Sequence, residues 1–253
     1  MQWTFTKILK DNYAWIIYNE KNEAIIIDCG EAAPIIKFLK EKHLDLKYIL
    51  ITHAHEDHIG ELDQLKAATG AIVVGNKHFK ERLPHLDMET EGGEVLNLLG
   101  ENIKVLATPG HCADHIIFYF ENDKLLFTGD FLFSLGCGRV FEGDNSDMVN
   151  SFNVLKGLPP QTLVFPSHEY TKSNLMFTKS LGFFDLGDRE RFILENDMTL
   201  PTVLEFEFRC NPFLNLNNAE FKHHVLQGMP MDAVAFFAYL RELKSNKTKL
   251  IGG

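Results

Sequence analysis

Four apolar runs of strand length in this chain each end on a histidine or an aspartate. "YILIT" (48–52) leads into His53, His55, Asp57 and His58, and "IKVLAT" (103–108) into His111. "KLLFT" (124–128) leads into Asp130, and "TLVFP" (162–166) into His168. Runs rich in β-branched and aromatic residues argue for strands. The loops leaving strand ends are where a fixed backbone still lets side chains reach solvent. One histidine after one strand would mean little, because most are satisfied by a backbone partner or lie on the surface. Four such ends, one of them a dense HxHxDH, point instead to a shared metal centre.

The same composition recurs in "WIIY" (15–18), "AIIID" (24–28), "AIVVG" (71–75) and "IIFYF" (116–120). Between these strands, residues 31–42 and 60–69 carry apolar positions at helical spacing. Residues 146–157 read as a further helix, with Asn145 or Ser146 as its cap. Beyond about residue 171 the strand signal fades. Residues 172–184, 187–198, 218–228 and 231–247 read as three or four helices separated by Gly, Pro and Asn. A mixed α/β domain followed by a small helical one is therefore expected. With no repeat, low-complexity tract or Ser/Gly linker, the helical part should dock firmly.

Five imidazoles and two carboxylates are too many ligands for one tetrahedral ion. They suit two divalent metals that share a carboxylate and a water. Such a centre stays positively charged, attracts the charge developing on a carbonyl oxygen, and supplies a nucleophile near neutral pH. Hydrolysis of an acyl-type bond is the chemistry this favours, and the chain has no GxSxG to suggest a serine nucleophile. His115, within "GHCADH", reads as a partner of the ligands rather than a ligand. His43, His78, His85, His223 and His224 follow no such run and read as surface or packing residues.

Charge narrows the partners. The 25 basic and 35 acidic residues give a formal net charge of -10, which argues against nucleic acid or an anionic membrane surface. A small anionic substrate needs only a local basic patch. Neither a signal-peptide stretch nor an apolar run of about 18 residues is seen. Cys29, Cys112, Cys137 and Cys210 lie far apart with no CxxC, so buried or idle thiols in a reducing cytoplasm are expected.

"THAHEDH" (52–58), "GH" (110–111), "GD" (129–130) and "SH" (167–168) resemble, in order and spacing, the metal motifs of the metallo-β-lactamase superfamily. That resemblance implies an α/β fold, the αββα sandwich. "DNYAWII" (11–17), "GCGRVFEG" (136–143), "HEYT" (168–171), "CNPF" (210–213) and "RELK" (241–244) resemble the glyoxalase II, or hydroxyacylglutathione hydrolase, family over essentially the whole chain. The family pattern implies a catalytic domain over 1–170 and a helical glutathione-binding domain over 171–253. It implies one metal on His53, His55 and His111 and another on Asp57, His58 and His168, bridged by Asp130. Asp57 and Asp130 would also orient the attacking hydroxide. Zinc is the expected metal, with iron and manganese compatible. Arg139, Tyr170, Arg241 and Lys244 would contact glutathione, whose two carboxylates call for a basic cluster on an acidic protein.

The implied activity is hydrolysis of S-D-lactoylglutathione and related 2-hydroxyacyl-glutathiones, the second step of methylglyoxal detoxification, by a cytoplasmic monomer. Rival readings are a persulfide dioxygenase, a lactonase or another thioester hydrolase of the same fold, and a non-catalytic metal-binding protein. Three positions depart from the family pattern. Phe141 stands where tyrosine is frequent, Glu61 replaces a glycine, and Asn215 replaces an arginine. These bear on substrate affinity rather than reaction type.

Overall fold

Successive side chains of a strand point to opposite faces, and here both faces of the central strands are apolar. A sheet of that kind must be covered on both sides. The computed structural model describes residues 1–83 and 86–251, with side chains except at 80, 81 and 247–251; the expectation for His85 lies outside them. The first sheet runs in the order β1 (Gln2–Ile8), β2 (Asn12–Tyr18), β3 (Glu23–Ile27), β4 (Asp45–Leu50), β5 (Ile72–Asn76) and β6 (Met88–Thr90). Its first three strands are antiparallel and β3 to β6 are parallel. The second sheet begins with the antiparallel run β7 (Val95–Leu98), β8 (Glu101–Ala107), β9 (Ile116–Phe120) and β10 (Leu125–Gly129). β11 (Leu132–Phe133) and β12 (Gly136–Cys137) pair only with each other. β13 (Leu163–Pro166), parallel to β10, and β14 (Thr202–Val203) complete the second sheet.

The helices are α1 (Ala32–Glu41), α2 (Glu56–Ile59), α3 (Leu62–Thr69), α4 (Asn145–Ser151), α5 (Thr171–Ser180), α6 (Asp188–Glu195), α7 (Leu204–Cys210), α8 (Ala219–Leu226) and α9 (Ala233–Ile251). Trp15, Ile17, Ile25, Ile27 and Val74 of the first sheet meet Val105, Phe118, Phe127 and Phe165 of the second in the central core. The alternate residues Ala14, Ile16, Ala24 and Ile26 face outward onto Ile35 and Leu39 of α1 and Leu62 and Leu65 of α3. On the far side, Ile117, Tyr119, Leu126 and Val164 pack on Met148, Phe177, Phe221, Phe236 and Phe237 from α4, α5, α8 and α9. The architecture is αββα, as the resemblance implied. No helix among the described residues is long and apolar enough to cross a membrane.

Three expectations need correction. The cap of α4 is Asp144 rather than Asn145 or Ser146. Its Oδ1 accepts from Ser146 N at 2.7 Å and Asp147 N at 3.0 Å, while Asp147 accepts from Asp144 N at 3.2 Å. This reciprocal pairing satisfies donors that a helix start otherwise leaves open. The segment expected at 60–69 begins at Leu62, because α2 forms a separate turn carrying Asp57 and His58. Among the described residues from 171 onward there are five helices rather than three or four. The additional one, α7, has the strand-like sequence "LEFEFRC", but its buried positions include Leu204, Glu207 and Cys210, at helical spacing. A glutamate in the middle of the buried stripe hides the pattern.

Candidate metal centre

β8, β10 and β13 run in the same direction, each antiparallel to β9 or parallel to its neighbour, so their C-terminal ends open on one edge. The loop after β4 arrives there too. Positive backbone φ angles shape the ends: Gly129 has φ 50°, and a Cβ on it would sit 2.7 Å from Thr52 Oγ1. Gly110 has φ 141° and a Cβ there would meet Met148 at 2.8 Å. Only glycine is free of a side-chain penalty at both places, which gives a physical reason for "GD" and "GH".

All seven side chains named from the strand ends are brought together. His111 Nε2 lies 3.0 Å from His55 Nδ1. Asp130 sits in the middle: Oδ1 is 3.5 Å from His58 Nε2 and 3.2 Å from His168 Nε2, and Oδ2 is 3.6 Å from His111 Nε2. Asp57 Oδ2 is 3.2 Å from His168 Nε2 and 3.4 Å from His58 Nε2. Three overlapping groups, His53–His55–His111, His53–His58–Asp130 and Asp57–His58–His168, each bring donor atoms within 4.8 Å of one another.

The outer nitrogens are held by the protein. His58 Nδ1 bonds Asp28 Oδ2 at 2.8 Å, His168 Nδ1 bonds Asp11 Oδ1 at 2.8 Å, and His111 Nδ1 bonds the Arg139 carbonyl at 2.8 Å. Carboxylates and carbonyls only accept, so each of these Nδ1 atoms carries the proton and each Nε2 faces inward. Thr52 Oγ1 donates to Asp28 Oδ2 at 2.8 Å and so accepts from His53 Nδ1 at 3.0 Å, fixing that ring likewise. His53 Nε2, His58 Nε2 and Asp130 Oδ1 are left buried with no hydrogen-bond partner. Buried polar atoms are almost always satisfied, and three such atoms aimed at one point fit divalent cations.

Electrostatics agree. Burial opposes a charge on His58, but the Asp28, Asp130 and Asp57 carboxylates outweigh it and raise its pKa well above the imidazole range. Burial is likewise overcome at His168, which Asp130 and Asp57 push up to about 10. Against burial, His58 and His168 hold Asp130 down at about 2, and His168, His58 and Asn12 hold Asp57 low. Carboxylates and imidazoles paired this closely are groups that could hold cations in place of the protons. His53, lowered by burial and by the surrounding imidazoles, stays a neutral donor. His115 does not join the cluster, since its Nε2 accepts from Asp130 N at 3.3 Å and its Nδ1 bonds Thr108 Oγ1 at 2.8 Å. It orients Asp130 from behind.

Sequence reasoning missed Asp28, Asp11, Thr52 and Asn12. The criterion that selected the ligands also fits Asp28, since "AIIID" is another strand run ending in an aspartate. Asn12 donates to Asp57 Oδ2 at 3.1 Å; it lies in "DNYAWII", a motif of the resemblance, but that motif by itself assigns it no role at the site.

A cavity of about 460 Å³ opens over the cluster, lined by His55, Asp57, His111, Asp130 and His168 and also by Arg139, Tyr170, Arg241 and Lys244. Tyr170 stacks on His168 with ring centroids 4.8 Å apart, and burial followed by the nearby carboxylates keeps its phenol protonated. Arg241 Nη1 donates to the Cys137 carbonyl at 3.2 Å, and Lys244 Nζ donates to Asn174 Oδ1. Burial and the neighbouring Arg241 lower Lys244 to about 7.

Comparison with known proteins places this geometry. The family model described as the metallo-beta-lactamase superfamily matches residues 10–168, and that of the hydroxyacylglutathione hydrolase C-terminus matches residues 169–247. A hydroxyacylglutathione hydrolase of Pelagibacter ubique is 38% identical over 97% of this chain and 100% of its own.

The chain belongs to the hydroxyacylglutathione hydrolase family of the metallo-beta-lactamase superfamily.

A second member, from Rhodobacter capsulatus, is 40% identical over 93% of this chain and 95% of its own. Among solved structures, ETHE1 from Myxococcus xanthus superposes with a TM-score of 0.64 at 26% identity, covering 91% of this chain and 94% of that one. Of the three departures from the family pattern, only Phe141 reaches the cavity, edge-on to His111 at 5.3 Å. Glu61 Oε2 accepts from Ala32 N at 2.7 Å and so caps α1. Asn215 Nδ2 donates to the Phe208 and Asn211 carbonyls at 2.9 and 3.0 Å. Both are local structural roles, and neither residue lines the cavity.

Proposed function

We propose that the protein hydrolyses S-D-lactoylglutathione and related 2-hydroxyacyl-glutathione thioesters, giving the hydroxy acid and glutathione. The observation that carries this reading is Asp130, whose two oxygens face different donor groups, His58 and His168 on one side and His111 on the other. That is the arrangement a carboxylate needs to hold two cations side by side. In this reading His53, His55 and His111 hold one, and Asp57, His58 and His168 hold the other. Two bound divalent cations, zinc in the first instance, supply a water-derived nucleophile near neutral pH and positive charge for the carbonyl oxygen.

The chain's own groups do the rest. Asp57 Oδ2 and Asp130 Oδ1 point inward and are acceptors that orient an attacking water. The thiolate departs without a strong acid, since thiols are far more acidic than alcohols or amines. Arg139, Arg241 and Lys244 are cations for the two carboxylates of glutathione, and the protonated Tyr170 hydroxyl is a neutral donor in the same cavity. The catalytic domain takes in about residues 1–170, and the helices beyond supply recognition. Four free, buried cysteines support a reducing cytoplasm, and we take the working unit to be a monomer.

The test is turnover of a panel of acyl-glutathiones beside small thioesters that lack the peptide, with elemental analysis of the same sample. Hydroxyacyl-glutathiones are expected to lead the panel with two metal equivalents bound. Preference for lactones, or oxygen consumption with a persulfide, would favour a rival of the same fold. No turnover by a fully loaded protein would favour a binding role.

A further inference from the structure

The hairpin β11–β12 forms one wall of the cavity through Phe133 and Cys137, yet it joins neither large sheet. A ribbon this short has little stability of its own. Its backbone is held instead by side chains from the last third of the chain. Asn211 Nδ2 donates to the Phe133 and Gly136 carbonyls at 3.2 and 3.0 Å, and Asn174 Nδ2 donates to the Ser134 carbonyl at 2.8 Å. Glu207 holds the tip. Its Oε1 accepts from Ser134 Oγ at 2.9 Å and Thr202 Oγ1 at 2.7 Å; its Oε2 accepts from Leu135 N at 2.8 Å and Asn211 Nδ2 at 3.0 Å.

Glu207 is fully buried, and burying a carboxylate is costly unless its oxygens are satisfied. Here four donors converge on it, and two of them, Leu135 N and Asn211 Nδ2, can only donate, so Oε2 must accept. A glutamine could set its amide N–H against the two hydroxyls, which would then accept, but it would lose the charge that strengthens all four bonds. A simple staple between two parts of the chain would account for the burial. It would not account for what rests on the hairpin: Arg241 donates to the Cys137 carbonyl, and Lys244 is bonded to Asn174, which is itself bonded to the Ser134 carbonyl. Both cations are seated on the ribbon that Glu207 fixes. The next residues are tied down independently, by Gly138 N to Phe131 O and Phe141 N to His111 O, so movement of the tip need not reach the metal cluster.

We propose that Glu207 is a positioning residue for substrate recognition: by locking the β11–β12 tip it fixes the carbonyls on which Arg241 and, through Asn174, Lys244 are aimed at the substrate. This rests on reading those two cations as contacts of the glutathione carboxylates.

The test compares Glu207→Gln with the Arg241→Ala/Lys244→Ala double variant, each as full-length, metal-loaded protein. KM and kcat are measured on S-D-lactoylglutathione, with metal content and hydrogen exchange at the Leu135 amide. Glu207→Gln is expected to raise KM by about fivefold or more while kcat changes less, the signature of lost uniform binding. Exchange at Leu135 should quicken by about tenfold or more as its charged acceptor becomes a neutral one, with the full metal complement kept. Should Glu207→Gln fail to fold, Ser134→Ala removes a single donor and is expected to shift KM in the same direction. A KM within twofold of wild type in the folded variant, or equal losses of kcat and metal, overturns the proposal. If the double variant leaves KM unchanged, the carboxylate contacts themselves are misassigned. If only the double variant raises KM, those contacts stand and Glu207 is merely structural.

Discussion

Asp130 occupies the position on which most else depends. If two cations are held as proposed, Asp130→Ala would take a ligand from both at once, so both metal equivalents should weaken together and turnover should fall at least a thousandfold, about 4 kcal/mol. The αββα core has its own apolar contacts and should stay folded; elemental analysis and turnover on one sample check this, and retained metal with retained activity would remove the bridge from the account. Lys244 offers a pH signature. Burial and Arg241 hold it down to about 7, so its amine is charged below that pH and neutral above it. The ratio of KM in Lys244→Ala to KM in wild type should therefore be largest near pH 6 and fall toward one above about pH 8. A ratio that stays constant across this range would mean that the lysine's charge does not contribute to binding. The residues that were legible in sequence are those at strand ends, where position in the chain and position in space coincide. Asp11, Thr52 and Asn12 were not, because what they do depends on partners from other strands.

At the scale of elements, the strands most easily read were those buried on both faces, since continuous β-branched runs leave little choice of structure. β1 and β7 have partly exposed patterns, and β6 and β14 span three residues or fewer, too few for periodicity to register. Capping was legible in kind but misplaced, because "GDNSD" (143–147) offers several cap-forming side chains in a row and only the three-dimensional turn selects Asp144. Asp144→Ala should cost about 1 kcal/mol, seen as a lower denaturation midpoint at unchanged metal content. No loss of stability would show that the neighbouring Asn145 or Ser146 takes over the cap. α7 was hidden for a different reason: Glu207 is a buried charge within its apolar stripe, and a local pattern cannot foresee four donors brought from three other segments.

At the scale of the molecule, the helices after residue 171 are not a detachable appendage. β14 joins the second sheet beside β13, and Phe177, Phe213, Phe221, Phe236 and Phe237 cover the same sheet's outer face. Truncation after residue 170 should expose that face and give aggregation rather than a separable catalytic domain; a monodisperse, metal-binding truncation by size-exclusion chromatography would contradict this. Removing metal should be milder. The carboxylate–imidazole pairs of the cluster remain, so a chelated protein should keep its far-ultraviolet circular dichroism and lose only the stabilisation of ligand binding, about 2.7 kcal/mol for a metal present at a hundred times its Kd. The central claim is the proposed one, that the protein hydrolyses a glutathione thioester with two cations held by the residues around Asp130. Its most direct test is a titration of the metal-free protein with zinc, following bound metal and S-D-lactoylglutathione turnover together. The account expects turnover to be absent at the start and to reach its plateau at two equivalents per chain. Full turnover in the metal-free protein, or a plateau of binding at two equivalents with no turnover, would contradict it.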